Sequence, residues 1–214
     1  MKKSMNLLLA TAVLAVGSLV TSSSDALAQG RVRTGIKGGL NASSLFYDNQ
    51  GVSNKNERIG FHAGLFAQAP LGEFLAIQPE LLYSTKGASA DYNLLGFNGR
   101  NTFRLNYAEL PVLLTFKLGQ AVELQAGPYA AYLLNSNVNS NGDFGSGSSA
   151  INRDNFNKVD YGIAGGLNIY FGKAFIGARY EQGLQRIANS GAARTLLGNA
   201  KNSVGLLSVG VSIN

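Results

Sequence analysis

The chain has 214 residues, 45% hydrophobic and only 14% charged, with 27 glycines, no cysteine or tryptophan, and a formal net charge of +6. That length suits one domain, and the lack of cysteine excludes disulfides, thiolate metal sites and cysteine nucleophiles. The basic excess never clusters beyond Arg31-Val32-Arg33, so no nucleic-acid partner is expected.

At the start of the chain, Lys2 and Lys3 precede an apolar run over 7–20, a serine-rich stretch and Ala26-Leu27-Ala28. Charge, apolar run and small-x-small site together predict a cleaved signal peptide over 1–28, leaving 29–214 as the mature domain. The run is too short for a membrane anchor, which needs about 20 apolar residues. Cleavage removes two lysines and one aspartate, so the +6 of the chain becomes +5. Lipid headgroup or lipopolysaccharide phosphates would suit that excess.

Beyond residue 29, eight segments alternate with the two-residue period of a strand: 32–41, 58–68, 74–86, 103–117, 122–134, 159–171, 174–186 and 203–213. Most run to about 10–15 residues, near the length of a membrane-spanning strand and longer than soluble strands. The connections over 69–73, 118–121 and 172–173 are short, whereas those over 42–57, 87–102, 135–158 and 187–202 are long and rich in Asn, Ser and Gly. An even strand number with alternating short and long connections predicts an all-β fold, an eight-stranded antiparallel up-and-down transmembrane barrel.

The hairpin over 160–185 shows the two faces most clearly. Tyr161, Ile163, Leu167, Ile169 and Phe171 alternate with Asp160, Gly162, Ala164, Gly166 and Asn168, and Ile176 and Tyr180 alternate with Arg179 and Glu181. In a membrane barrel the greasy set faces lipid and the wet set lines the lumen. The same phase sends Ile36, Leu40, Ile59, Phe61, Leu65, Leu124, Val209 and Val211 outward and Arg33, Lys37, Arg58, His62, Gln78, Glu80, Lys86, Glu123 and Gln125 inward. Charge sorts to the wet phase throughout, as it must where a Lys or Arg near the bilayer midplane costs about 2–4 kcal/mol. The segment over 103–117 allows either phase, and Glu109 and Lys117 set it inward with Tyr107 and Pro111. Pro111 lacks a ladder donor and predicts a bulge or bend.

Six stretches, IGFHAGLFAQ, IQPELLYSTKGA, LNYAELPVLLTFKL, GPYAAYLL, DYGIAGGLNIYF and FIGARYEQGLQRI, resemble the PorT-like outer-membrane β-barrel family common in Bacteroidetes. The resemblance spans essentially the whole mature chain. Its most specific pieces are Gln78-Pro79-Glu80-Leu81, Tyr107-Ala108-Glu109-Leu110-Pro111, Gly127-Pro128-Tyr129 and Arg179-Tyr180. It implies the outer membrane of a Gram-negative bacterium and an eight-stranded barrel, and it implies little about activity.

An eight-stranded barrel is narrow enough for its own side chains to fill. Glu80, Glu109 and Arg179 fall near mid-strand with Glu123 and Glu181 as neighbours, so these five are expected to form an ion-pair network plugging the lumen, since buried charges need partners. His62, the single histidine, could serve an embedded lipid hydrolase with a serine and an acid, but it phases inward, away from acyl chains. The connection over 135–158 has too few apolar residues to fold alone and reads as a mobile surface loop; Asp143 and Asp154 within it match no calcium-loop register. No catalytic residue, metal or cofactor is expected. The sequence therefore predicts a monomeric outer-membrane scaffold or interaction protein, its loops open to envelope or host proteins. A narrow porin or export-system component, or a lipid hydrolase, are the alternatives.

Overall fold

The computed structural model describes residues 31–46, 57–94, 97–142, 145–150, 157–187 and 200–214. The expected signal segment, most of the first and last long connections, and Asp143 and Asp154 lie outside the described residues. Nine strands occur among the described residues: β1 (Arg33–Phe46), β2 (Arg58–Pro70), β3 (Leu75–Leu94), β4 (Phe97–Leu118), β5 (Val122–Gly142), β6 (Gly145–Ala150), β7 (Val159–Phe171), β8 (Ala174–Arg186) and β9 (Lys201–Ser212). All ladders are antiparallel, each barrel strand pairs with its sequence neighbours in the barrel, and β1 pairs with β9. Eight strands thereby close on themselves, while β6 pairs only with β5 and stays outside the ring. Closure leaves no unpaired edge in the ring, the condition for a sheet to sit in lipid.

The short turns gather at one end and the long connections at the other. Between β7 and β8 the chain reverses at Gly172-Lys173, where Gly172 has φ +66°. That left-handed conformation suits glycine in a two-residue hairpin turn.

Burial is inverted relative to a soluble protein. Ile163 (58% exposed), Leu207 (66%), Leu40, Phe61, Leu65, Leu114, Phe116, Tyr161, Leu167 and Ile176 form the outer wall. Lys37, His62, Gln78, Glu80, Lys86, Glu109, Glu123, Gln125, Arg179 and Glu181 are buried. On β4, Tyr107, Glu109, Pro111, Leu113 and Thr115 are buried and Leu114 and Phe116 exposed, so carboxylate placement decides the phase of that strand. Lys117, at the turn end, is half-buried.

Three expectations need correction. The connection over 87–102 is largely ladder: β3 and β4 stay paired out to Leu94 opposite Phe97. Likewise β5 runs on to Gly142 and β6 folds back on it, so much of 135–158 is strand instead of free loop. Both stretches are rich in Asn, Ser and Gly, so the two-residue hydrophobic period vanishes there while backbone pairing continues. Nor is there a bulge at Pro111. The β4–β5 register holds from Tyr107 opposite Leu133 through Leu118 opposite Val122, and its shift falls between Asn106 and Tyr107.

The inverted wall gives a direct test. Ile163→Arg places a cation on the outer face, and unfolding by urea in lipid vesicles should show a loss of about 2–4 kcal/mol. Gly165→Ala on the same face and strand should change it little.

Candidate functional site in the barrel lumen

The lumen is built in three levels. At the turn end, Phe66 of β2, Tyr170 of β7 and Phe175 of β8 pack as an aromatic floor, with Phe66 and Phe175 edge to face at 5.6 Å and Tyr170 and Phe175 at 5.0 Å. The Arg33 guanidinium lies 4.6 Å from the Tyr170 ring centre and pairs with Glu123 at 3.0 Å. The Gln68 amide donates to Glu123 and to Gln78, both at 2.9 Å, and Gln78 donates to Glu80 at 2.8 Å.

At mid-height Glu80 accepts two parallel bonds of 2.7 Å from Arg179. Lys37 adds bonds of 3.0 and 3.2 Å to the same carboxylate. Glu80 sits on β3 and Arg179 on β8, four strands apart in either direction around the ring. The pair therefore crosses the full width of the lumen. Arg179 also donates to Gln125 of β5 at 3.1 Å, over Gly166 of the intervening strand. A Cβ at Gly166 would come within 3.0 Å of the Arg179 Cβ, so glycine is what lets the guanidinium lie flat across β7.

Toward the loop end Lys86 of β3 bonds Glu109 of β4 at 2.8 Å and Glu181 of β8 at 3.1 Å. Its ammonium also stands 4.7 Å from the Tyr129 ring centre and 5.8 Å from that of Tyr107, an added attraction for a desolvated cation. Asp160 completes this level, accepting from Asn202 at 2.8 Å and from the Tyr129 hydroxyl at 3.4 Å. Leu105, Leu113, Leu133, Ile187 and Ala200 pack around the group.

A separate chain runs along the β9–β1–β2 side. His62 Nδ1 meets Asn41 Oδ1 at 2.6 Å and Nε2 meets Ser208 Oγ at 2.9 Å. Asn41 spends its amide hydrogens on Ser84 and the Phe61 and Thr85 carbonyls; its oxygen therefore accepts from Nδ1, and Nε2 accepts from Ser208. His62, Gly39 and Ser208 stand in one row, and a Cβ at Gly39 would strike the Leu207 carbonyl. Histidine bridges β2 to β9 because the strand between them is bare there.

All five residues expected to form the network are buried in the lumen, and they fall into three groups: Glu123 near the floor, Glu80 with Arg179 at mid-height, and Glu109 with Glu181 near the loop end. Sequence reasoning missed the partners Lys37 and Lys86, although both phase inward. Gln68, Tyr129, Asp160 and Asn202 were missed as well; Asp160 and Tyr129 carried a signal, the first in the wet phase of its hairpin and the second in Gly127-Pro128-Tyr129. No group of three or more His, Asp or Glu among the described residues has the arrangement of a metal site.

The central pair yields a double-mutant test. Glu80→Ala should destabilise the barrel by about 3–5 kcal/mol, because it leaves Arg179 and Lys37 buried without their anion. Lys37→Met should cost clearly less, since Arg179 still neutralises Glu80, and Glu80→Leu with Arg179→Met should recover much of the loss. Urea midpoints in vesicles measure all three.

The model of a family described as outer membrane protein beta-barrel domain matches residues 22–189. No curated protein matches the chain. Among solved structures, Neisserial surface protein A aligns with a TM-score of 0.52 and 10% identity, over 86% of this chain and 100% of that one. Ail, the attachment invasion locus protein of Yersinia pestis, aligns with a TM-score of 0.48 and 14% identity over 86% and 100% of the two chains. The likeness to the neisserial protein is one of fold.

Proposed function

The chain belongs to the outer membrane protein beta-barrel domain family, and from that premise we propose a small scaffold or interaction protein, non-catalytic and monomeric, whose lumen is plugged by its own side chains. The outer membrane of a Gram-negative bacterium is its site, with the short turns toward the periplasm and the long connections outside, after cleavage of a signal peptide over 1–28. Within the family, the pieces around Gln78-Pro79-Glu80-Leu81 and Tyr107 to Pro111 favour the PorT-like type.

The observation that carries the plug is the pair of ties across the lumen, Glu80 to Arg179 and Lys86 to Glu181, above an aromatic floor. Side chains that hold each other across the bore leave no aqueous path of porin width. Activity then belongs to the loop end. Arg58, Arg104, Lys158, Arg186 and Lys201 ring that end, where lipopolysaccharide phosphates would meet them. Envelope or host proteins are the other class of partner.

Planar bilayers test the plug. Purified barrel should insert without stable large conductance, and such conductance in the unmodified protein would favour the narrow porin or export reading.

A second reading rests on the Ser208–His62–Asn41 chain, which has the atom order of a hydrolase nucleophile, base and orienting amide. Burial argues against it: His62 is 1% exposed and faces the lumen, where no acyl chain reaches. Incubation with phospholipid and lipid A should release no acyl product from wild type or His62→Ala. Acyl release abolished by His62→Ala would establish the hydrolase.

A further inference from the structure

The level around Lys86 has more acid than base. One ammonium faces three carboxyl groups, Glu109, Glu181 and Asp160, and each keeps one buried oxygen with no hydrogen-bond partner: Glu109 Oε2, Glu181 Oε1 and Asp160 Oδ1. Glu109 and Glu181 are both 0% exposed. Their bonded oxygens, Glu109 Oε1 and Glu181 Oε2, both lie within about 3 Å of the single Lys86 nitrogen. The two carboxyl groups thus crowd a single ammonium, and the oxygen of each that Lys86 does not bond is the unpartnered one. Two ionised carboxylates are acceptors only and cannot bond one another. At such range in a dry interior they repel, and pairs of this kind take up one proton in common.

We infer that Glu109 and Glu181 share one bound proton, which makes the Lys86 level of the lumen a proton-binding site. The proton comes from solvent and lies between Glu109 Oε2 and Glu181 Oε1, while the opposite oxygen of each group accepts from Lys86. Both unpartnered oxygens are then satisfied, and the pair carries one negative charge against one ammonium. Asp160 stays outside the shared bond, held by Asn202 and Tyr129. The charged and titratable groups facing the pair from the surrounding strands are Lys86 of β3, Tyr107 of β4, Tyr129 of β5, Asp160 of β7 and Arg179 of β8, with His62 and Lys37 on the β1–β2 side. Of these, Lys86 has the direct bonds, and Arg179 is engaged by Glu80.

The sign of the pH effect follows. The folded barrel holds a proton that the unfolded chain, with ordinary glutamates, has released at neutral pH, so stability falls as pH rises through the range where the shared proton leaves. Glutamine at either position supplies a permanent N–H donor to its partner and removes that dependence.

This inference rests on the closed lumen proposed above, and its test is independent of conductance, so either can fail alone. The infrared spectrum of the folded barrel at neutral pH should contain a protonated carboxyl carbonyl band that shifts in deuterium oxide and with isotope-labelled glutamate. The band should vanish at alkaline pH. It should be absent from both Glu109→Gln and Glu181→Gln, whose urea midpoints should be flat over the pH range in which the wild-type midpoint drops. No labelled-glutamate band in the wild type overturns the proposal without need of a variant, as does a band surviving in both variants. Stabilisation of the wild type by sodium over choline at equal ionic strength, without the band, would assign the site to a metal cation and overturn it equally.

Discussion

Glu80 and Arg179 meet across the whole bore of the barrel, and the rest of the structure depends on that meeting. Backbone ladders fix each strand only to its two neighbours, so a ring of eight can flatten or shear without breaking a pair. A contact between β3 and β8, which lie opposite each other, sets the width directly. The second tie between the same strands, Lys86 to Glu181, reverses the polarity: β3 carries the carboxylate in one and the ammonium in the other. A slip in one sense would bring Glu80 toward Glu181 and a slip in the other would bring Lys86 toward Arg179, so either direction moves like charges together while it separates both pairs. The ties therefore specify register, the best attested use of buried charge.

That role explains why the interior is polar at all. Apolar side chains of equal volume would often match or exceed a buried ion pair in stability. They would also make the inner face like the outer one, and a strand slipped by one residue, which swaps every side chain between faces, would then meet little penalty. With Ile163 and Leu207 outside and Glu80, Arg179 and Lys86 inside, a one-residue slip would drive full charges into lipid. The polar lumen and the apolar wall are one specification read from two sides.

The fold was legible in the sequence because this specification is written at period two. Strand number, alternating connections and the inward phase of Lys37, His62, Glu80, Glu123 and Arg179 all follow from it. What could not be read is height. The two-residue period tells which face a side chain joins, not which residue of a distant strand lies level with it, because strand stagger is a property of the closed ring. Lys86 phased inward in plain view, yet nothing local joined it to Glu181, 95 residues away. Gly39 and Gly166 were equally silent. Each matters through what passes over it, His62 toward Ser208 and Arg179 toward Gln125. The ribbon beyond residue 86 failed for the opposite reason, since its Asn-, Ser- and Gly-rich stretches pair through the backbone and carry no hydrophobic period to detect.

That ribbon is also tied physically to the lumen below it. Above the apolar wall the backbone goes on pairing. There β3, β4 and β5 continue as paired strands and β6 adds a fourth. A partner meeting this ribbon would meet backbone already ordered, without the entropic cost of freezing a flexible loop. Among the described strands the outer edge of β6 pairs with nothing. The cross-lumen ties bear on this ribbon at a distance. They hold β3 fixed below the wall, and through the β3–β4–β5 ladder they fix the base from which the ribbon rises.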